Sequence, residues 1–105
     1  MATSEYGVFM MTREEIFLAP AYPLEEVFDP TGAGDTFAGG FMGYLANVGD
    51  ATPECIKQAI VMGSVMASFN VEDFSVNRLR TLKPQEIRDR YSSFKGCIQF
   101  ADVNF

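Results

Sequence analysis

Hydrophobic and polar residues are arranged in two different ways along the chain, and the change between them separates a strand-rich part from a helix-rich part. Two short apolar runs, at residues 6–12 and 16–19, are separated by the polar residues 13–15. β-rich runs joined by such a short polar segment are typical of a β-hairpin. The beginning of the chain is therefore predicted to form two antiparallel strands.

Two prolines follow the hairpin. Pro20 and Pro23 are expected to interrupt the strand pattern, because proline cannot donate a hydrogen bond to a sheet ladder. A further short strand is predicted at residues 26–28. The strand-rich part of the chain then covers residues 6–28.

From residue 36 onward the apolar positions recur with a period near 3.6, which is the period of an α-helix. The apolar face of this first helix consists of Phe37, Phe41, Tyr44, Leu45 and Val48. Gly49 follows the face directly, where a glycine with a left-handed backbone commonly ends a helix. The spacing predicts a helix over about residues 36–48.

A second helix is predicted over about residues 53–69. Residues 52–54 are Thr-Pro-Glu, the order of an N-cap hydroxyl, a first-turn proline and an acid at the positive end of the helix dipole. Between residues 59 and 67 the only polar side chain is Ser64. A helix without a polar face is buried on several sides.

A third, amphipathic helix is predicted over about residues 84–95. Its apolar positions have the spacing i, i+4 and i+7 and are Ile87, Tyr91 and Phe94. Gly96 is expected to end it. The residues that follow, 97–100, suit either a terminal strand or an extension docked on the core, and the pattern does not decide between the two.

Composition narrows the class of protein. The chain has 105 residues, a net charge of −6 and no histidine. The lack of histidine excludes a Ser-His-Asp triad, a Cys-His dyad and any histidine-ligated metal site. The negative charge argues against a nucleic-acid partner and against an anionic membrane surface. We therefore expect small-molecule or protein partners.

Cysteine usage and hydropathy indicate the compartment. Cys55 and Cys97 are too far apart for a CxxC motif and suit two free thiols in a reducing environment. No uninterrupted apolar stretch is long enough to span a membrane. The first residues lack the basic-then-apolar order of a signal peptide. The expected location is the cytoplasm.

One segment carries recognisable chemistry. Residues 29–41 read DPTGAGDTFAGGF and lie between a predicted strand and a predicted helix. Gly32 and Gly34 permit backbone angles that turn successive N–H groups toward one point, to which the following helix adds its positive end. Such an arrangement binds an anion, most naturally a phosphate. A Walker A loop is rejected because no lysine follows the glycines, and a dinucleotide fingerprint because Phe37 stands where glycine is required.

Asp35 is the unusual residue of this segment, because a carboxylate beside an anion-binding loop would repel a stationary phosphate. Phosphoryl transfer gives it a task, since the acid can accept the proton of an attacking hydroxyl while the N–H groups hold the developing charge. The alternative is that Asp35 only caps the helix. Position alone leaves both interpretations open.

The run DPTGAGDTF at residues 29–37 closely resembles the C-terminal signature of the PfkB, or ribokinase-like, family of carbohydrate and nucleoside kinases. The preceding hairpin with residues 19–27 and the two helices that follow are similar to the same family, so the likeness covers roughly residues 6–95. The resemblance implies an α/β fold, the C-terminal part of a ribokinase-like fold. In it, strands precede an anion-hole loop at residues 29–35 and about three helices.

The resemblance also implies roles for the residues of the loop. Asp35 matches the catalytic base that deprotonates the substrate hydroxyl. Gly32, Ala33 and Gly34 match the anion hole that faces the γ-phosphate of ATP. The expected reaction is therefore transfer of that phosphoryl group to a hydroxyl of a sugar or nucleoside.

A monovalent cation, K⁺, is bound beside this loop in many members of the family, and Asp29 and Thr31 match residues that help to hold it. Many members complete the site with a glycine-containing loop after the second helix. This chain instead has Phe-Asn-Val-Glu-Asp-Phe-Ser at residues 69–75. The departure puts the cation site in question.

On the second helix, Ile60, Gly63 and Ser64 lie where the resemblance implies contact with the adenine of ATP. For Ile60 plain helix–helix packing is an equal alternative. Gly39 and Gly40 are expected to permit close packing below the nucleotide loop rather than to touch the nucleotide.

Magnesium is expected as a cofactor together with ATP. Residues 1–77 carry 11 acidic and two basic side chains, and the loop has no lysine, so a divalent cation must neutralise the triphosphate. The family's chains are far longer, and their N-terminal part supplies the sugar-binding residues and a lid. This chain alone is therefore expected to bind nucleotide weakly and to lack kinase activity.

A different class of function is an oligomerisation or interaction module derived from a kinase. A partial fold exposes apolar faces that the rest of the protein would cover, and large exposed apolar patches tend to pair. The Phe- and Met-rich second helix is the expected surface. Its partner would be a second copy of the chain or a separate N-terminal kinase portion.

Overall fold

The structure, a computed structural model, describes residues 1–4, 7–22, 33–71 and 81–104. Strands come first in the chain and helices follow. In chain order the elements are β1 (Ala2–Ser4), β2 (Gly7–Met11), β3 (Ile16–Pro20), α1 (Ala33–Val48), α2 (Pro53–Val71) and α3 (Pro84–Ile98). The mixed architecture of a small sheet followed by helices agrees with the predicted fold class.

The strands form one antiparallel sheet in the order β1-β2-β3. In the β2–β3 hairpin, Met11 pairs with Ile16 across a four-residue turn, and Phe9 pairs with Leu18. The Thr12 hydroxyl accepts the N–H groups of Glu14 (3.3 Å) and Glu15 (3.1 Å), so the threonine side chain shapes the turn. The predicted hairpin is present.

Two details of the strand-rich part differ from the prediction, and a third lies outside the described residues. β1 was not predicted, because three residues without apolar alternation give no strand signal. β3 includes Pro20, which was expected to interrupt it. Proline is tolerated at the end of an outer strand, where its missing N–H is not needed. The strand predicted at residues 26–28 lies outside the described residues.

The core lies between one face of the sheet and two helices. The sheet contributes Val8, Met10 and Ala19, whereas α2 contributes Ile60, Val65 and Phe69, and α3 contributes Phe94. Ile60, Val65, Phe69 and Phe94 are all 0–1% exposed. The second half of α2 is buried on several sides, as its lack of a polar face predicted.

Helix α1 packs on α2 through one face and buries no residue completely within its described span. Its end is defined by Gly49, which has a φ of 70° and donates its N–H to the Leu45 carbonyl oxygen (2.9 Å). This is the left-handed cap that the sequence predicted. α2 begins after Thr52, whose hydroxyl accepts the Cys55 N–H (3.3 Å) and so acts as the predicted N-cap.

Helix α3 is longer than predicted. It continues through Gly96, where it was expected to end, and stops at Ile98. Ile98 packs against the core, and this burial outweighs the cost of about 1 kcal/mol for a glycine within a helix. Phe100 is 85% exposed, so the tail is neither a strand nor a docked extension.

Arg90 joins α3 to the rest of the fold in a way that the sequence did not indicate. Its guanidinium carbon lies 3.9 Å from the ring centre of Phe69 and 5.1 Å from that of Tyr22. One of its N–H groups donates to the Ser68 hydroxyl (3.2 Å). Arg90 is therefore part of the packing between α2 and α3.

Across the described segments, α2 is the longest helix, and none of the helices combines the length and hydropathy that a membrane span requires.

Candidate functional site

The candidate site is the beginning of α1. The loop was predicted to extend to residue 35 and the helix to start at residue 36, but the helix starts three residues earlier, at Ala33. Ala33, Gly34 and Asp35 therefore form its first turn. The N–H groups of a first turn have no carbonyl partner within the helix and carry partial positive charge. This places three donors at one end of α1.

Gly34 has a different role from the one expected. Among the described residues, positive φ angles occur at Gly7 and Gly49, so Gly34 has ordinary helical backbone and the predicted use of unusual angles there is wrong. No heavy atom of the described part lies within 4 Å of the position that a Cβ atom would take. The missing side chain leaves open space beside the first turn of α1, which allows close approach by another molecule.

Asp35 is exposed to solvent at the same end of the helix. Its carboxylate forms no hydrogen bond or ion pair with the residues that the structure describes. Because Asp35 is the third residue of α1, it lies in the first turn and not at the N-cap position, and its negative charge there favours the positive end of the helix. The first turn of α1 thus combines backbone N–H groups that have no partner within the helix with a carboxylate that forms no hydrogen bond or ion pair with the described residues.

The other residues of the predicted loop cannot be placed. Gly32 of the anion hole, and Asp29 and Thr31 of the cation site, lie outside the described residues. Within the described ranges no group of three His, Cys, Asp or Glu side chains is arranged to hold a metal ion. The described residues thus form no protein cage for magnesium.

The stripe predicted to meet adenine is covered by protein. Ile60 is 0% exposed, and Ser64 is buried with its hydroxyl donating to the Ile60 carbonyl oxygen (3.0 Å). A Cβ atom on Gly63 would lie 2.8 Å from the carbonyl oxygen of Phe37. The three residues are therefore engaged in packing within α2 and between α1 and α2, which was the alternative interpretation for Ile60.

The two glycines expected to permit close packing behave differently. A Cβ atom on Gly40 would lie 3.1 Å from the Cα of Gly63, so α1 and α2 approach each other closely at Gly40 and Gly63. Gly39 faces open space, with no heavy atom of the described residues within 4 Å. The prediction holds for Gly40 and is wrong for Gly39, which lies on the exposed side of α1.

We expect Gly63→Ala to destabilise the chain by about 1–3 kcal/mol, because the new methyl group would collide with Phe37 and force the helices apart. Gly43→Ala is the matched control, since no described heavy atom lies within 4 Å of its Cβ position. The control should gain about 0.5–1 kcal/mol from the better helix former. Urea denaturation followed by circular dichroism measures both. Equal stabilisation of the two variants would contradict the close helix crossing.

The segment that departs from the family pattern is described only at its beginning. Phe69 and Asn70 are 1% and 3% exposed, at the end of α2. Asp29, Thr31 and residues 72–75 all lie outside the described ranges, so the cation site stays a prediction.

A concave region away from the first turn of α1 lies between β3, α2 and α3, with Tyr44 of α1 at its border. It has a volume of about 350 Å³ and is lined by residues that include Tyr44, Lys57 and Tyr91. Lys57 forms ion pairs with Glu15 (2.7 Å) and Glu54 (3.2 Å). Hydrogen bonding to Glu15, and secondly to Glu54, raises the pKa of Lys57 above 10.5. Lys57, which lines this region together with Lys95, is thus already paired with carboxylates of the protein itself.

Solved structures resemble this fold. The chain is similar to aminoimidazole riboside kinase from Salmonella enterica, with a TM-score of 0.67 and 27% identity over 85% of this chain and 29% of that one. It is also similar to a nucleoside kinase from Methanocaldococcus jannaschii, an archaeal member of the ribokinase family. That match has a TM-score of 0.63 and 26% identity over 85% of this chain and 28% of that one. The chain therefore spans less than a third of either kinase.

Sequence comparison agrees with the structural one. No curated protein sequence matches the chain significantly. The family model of pfkB family carbohydrate kinases, by contrast, matches residues 3–81, which include β2, β3, α1 and α2. Since this match covers most of the chain, and both similar structures are kinases, the protein belongs to the pfkB family of carbohydrate kinases.

Proposed function

We propose that this chain supplies the anion-binding helix start and the catalytic base for ATP-dependent phosphorylation of a hydroxyl on a sugar or nucleoside. One observation carries the proposal: the exposed, uncommitted carboxylate of Asp35 shares the first turn of α1 with backbone donors and the open space at Gly34. The open space at Gly34 gives a phosphate room to approach these donors.

In the proposed reaction, a carboxylate oxygen of Asp35 accepts the proton of the acceptor hydroxyl. The hydroxyl oxygen forms a bond to the γ-phosphorus of ATP while the bond from that phosphorus to the β–γ bridging oxygen breaks, and ADP leaves. The N–H groups of Ala33 and Gly34 donate hydrogen bonds to phosphate oxygens as negative charge develops on them. Proton acceptance and charge stabilisation are thereby supplied by adjacent residues of one helical turn.

The names of the relatives support the proposed class of acceptor. The two similar structures are a riboside kinase and a nucleoside kinase by name, and the family name refers to carbohydrates. A hydroxyl carried by a sugar ring is common to these acceptors. We therefore propose a sugar or nucleoside as the substrate.

Magnesium would enter with the nucleotide. The described residues form no cluster of three carboxylates or other metal ligands, and Mg²⁺ at phosphate sites is held largely by phosphate oxygens and water. When bound, the ion would offset the charge of the triphosphate. The chain's own contribution is the set of N–H donors and the Asp35 carboxylate, and K⁺ binding at Asp29 and Thr31 is proposed only by resemblance.

Binding of ATP to the isolated chain tests the proposal directly. We expect Mg·ATP, titrated to about 10 mM, to shift the NMR amide signals of Ala33, Gly34 and Asp35 more than those of other residues. Gly34→Ala should remove most of this shift, because its methyl group fills the space in front of the donors. The same substitution at Gly43, which is also exposed on α1, should leave it unchanged.

The outcomes separate the proposal from its alternatives. Neither substitution meets a described protein atom, so a difference between the two variants reports on the bound nucleotide and not on the fold. Shifts that are largest elsewhere in the chain, or equal in Gly34→Ala and Gly43→Ala, would contradict the proposed anion site. Turnover by the isolated chain in a coupled assay would contradict the expectation that this segment lacks the acceptor site.

A further inference from the structure

Arg90 on α3 is a basic side chain that packs into the interior of the fold. The residue is half-buried, and its guanidinium carbon lies 3.9 Å from the ring centre of Phe69 and 5.1 Å from that of Tyr22. One of its N–H groups donates to the Ser68 hydroxyl (3.2 Å). Arginine can make such contacts together because its guanidinium is planar, so that its faces pack on aromatic rings while its edge carries the N–H donors. Arg90 therefore connects two separate parts of the chain.

Tyr22 belongs to the part that leads into the candidate site. It is the last described residue before residues 23–32, which lead along the chain to the start of α1. Its ring stacks on that of Phe94, at 6.0 Å between ring centres, and its hydroxyl forms a hydrogen bond with the Ser93 hydroxyl (2.9 Å). With Arg90, these residues of α3 fix the point from which the segment leading to α1 departs.

Helices α1 and α2 run in opposite directions. Tyr44, near the end of α1, donates to Gln58 (2.6 Å), near the start of α2. Nearer the beginning of α1, a Cβ atom on Gly40 would lie 3.1 Å from the Cα of Gly63, which is farther along α2. The start of α1 is therefore on the same side as the end of α2.

The end of α2 that Arg90 contacts lies at the level of the first turn of α1. Asp35 is five residues before Gly40, and Ser68 is five residues after Gly63. At a helical rise of about 1.5 Å per residue, each lies about 7.5 Å from the crossing, toward the same end of the helix pair. Arg90 thus holds the end of α2 beside the candidate site.

We propose that Arg90 is a positioning residue of the nucleotide site. It holds the end of α2 and the segment that leads into α1 in the relative positions at which the first turn of α1 can receive a phosphate. The inference rests on the proposed function and adds to it a residue beyond the family match, which ends at residue 81. In this role Arg90 acts through Tyr22 and Phe69 rather than by touching the nucleotide.

NMR of the isolated chain without nucleotide tests the link between Arg90 and α1. Arg90→Gln removes the planar cation and its contacts with Tyr22 and Phe69. We expect the amide signals of residues 33–35 to shift in this variant, and to shift more than those of residues 45–48 at the other end of α1.

Arg88→Gln is the matched control. Arg88 lies on the same helix and loses the same charge, but it is exposed and donates to Gln85 one turn before it (3.0 Å). The signals of residues 33–35 should stay where they are in the unmodified chain.

Kinetics of a complete kinase that carries this segment separate positioning from stability. Arg90→Gln should raise the KM for ATP about 5-fold and leave kcat within about 2-fold, because it weakens a site that holds ATP equally before and during the reaction. A variant that was only less stable would instead lower the apparent kcat at unchanged KM, because fewer molecules would be folded. Arg90→Lys keeps the charge but not the planar edge, so it should recover part of the ATP affinity. It replaces Arg90→Gln if circular dichroism shows that the latter is unfolded.

The outcomes distinguish this inference from the proposed function. Unchanged signals of residues 33–35 in a folded Arg90→Gln chain, or a KM for ATP that changes no more than in Arg88→Gln, would overturn the positioning role and leave the proposed anion site in place. A lower kcat at unchanged KM would make Arg90 a structural residue only. Signals that respond to Arg90→Gln but not to Mg·ATP would contradict the proposed function, and the nucleotide role of Arg90 with it.

Discussion

Asp35→Asn, introduced into a complete kinase that carries this segment, is expected to lower turnover by at least about 100-fold. Asparagine has nearly the same shape as aspartate but cannot accept the proton of the acceptor hydroxyl. The carboxylate is exposed and forms no interaction with the described residues, so its removal leaves the fold intact. A coupled assay for ADP at saturating ATP and acceptor measures the change.

Asp50→Asn is the control for that variant. Asp50 is also exposed, lies beyond the opposite end of α1 and accepts the Ala51 N–H (2.7 Å) through an oxygen that asparagine retains. The same charge is removed, so the control corrects for the change in net charge. Turnover should stay within about 2-fold of the unmodified enzyme. Near-normal turnover in Asp35→Asn would leave the carboxylate without a catalytic role.

Phe94→Ala should be the most destabilising single truncation considered, at about 3–5 kcal/mol. Phe94 is 0% exposed and is the one buried residue within residues 84–98 of α3. Its ring stacks on that of Tyr22 at 6.0 Å between ring centres. Removing it leaves a cavity between α3, α2 and the end of β3, which urea denaturation would report as a lower midpoint.

Phe100→Ala removes the same atoms from a position that is 85% exposed. Its effect should lie within about 0.5 kcal/mol, because no packing is lost at an exposed position. The pair of variants distinguishes the effect of removing any phenylalanine ring from the effect of removing the ring that packs α3 on the core. Equal effects at both positions would contradict the described docking of α3.

The elements that were predictable are those determined by nearby residues. The hairpin follows from two apolar runs around a short polar turn, and the Thr12 hydroxyl organises that turn locally. The end of α1 and the start of α2 follow from Gly49 and Thr52, whose capping interactions reach only three or four residues along the chain. Local spacing carries this information because the contacts themselves are local.

What the sequence did not provide depends on residues distant along the chain. The extension of α3 to Ile98 depends on a core built by β2, β3 and α2. The packing of Gly63 against Phe37 depends on how α1 crosses α2. The sequence does not contain this crossing directly, so it could not distinguish a glycine that faces adenine from one that faces another helix. The exposed apolar side chains of Phe9, Met11, Ile16 and Leu18 had one usable signal in the sequence, since uninterrupted apolar runs, rather than alternating ones, belong to strands with two apolar faces.

The candidate site shows the same division. The motif at residues 29–37 pointed to Asp35 and to a candidate anion-binding segment from sequence alone. The helical backbone of Gly34 and the solvent exposure of Asp35 required the structure. The motif fixes which groups are present, whereas the start of α1 determines what they can reach.

The crossing of α1 and α2 has a consequence for movement. Gly40 and Gly63 have no side chains, and their backbones lie close together at this crossing. Side chains can change rotamer to let helices slide, but a backbone-to-backbone contact has no such freedom. The backbone of α1, which carries Asp35, is therefore restricted in sliding along α2. In the proposed reaction, the acceptor would then approach Asp35 rather than be approached by a moving α1.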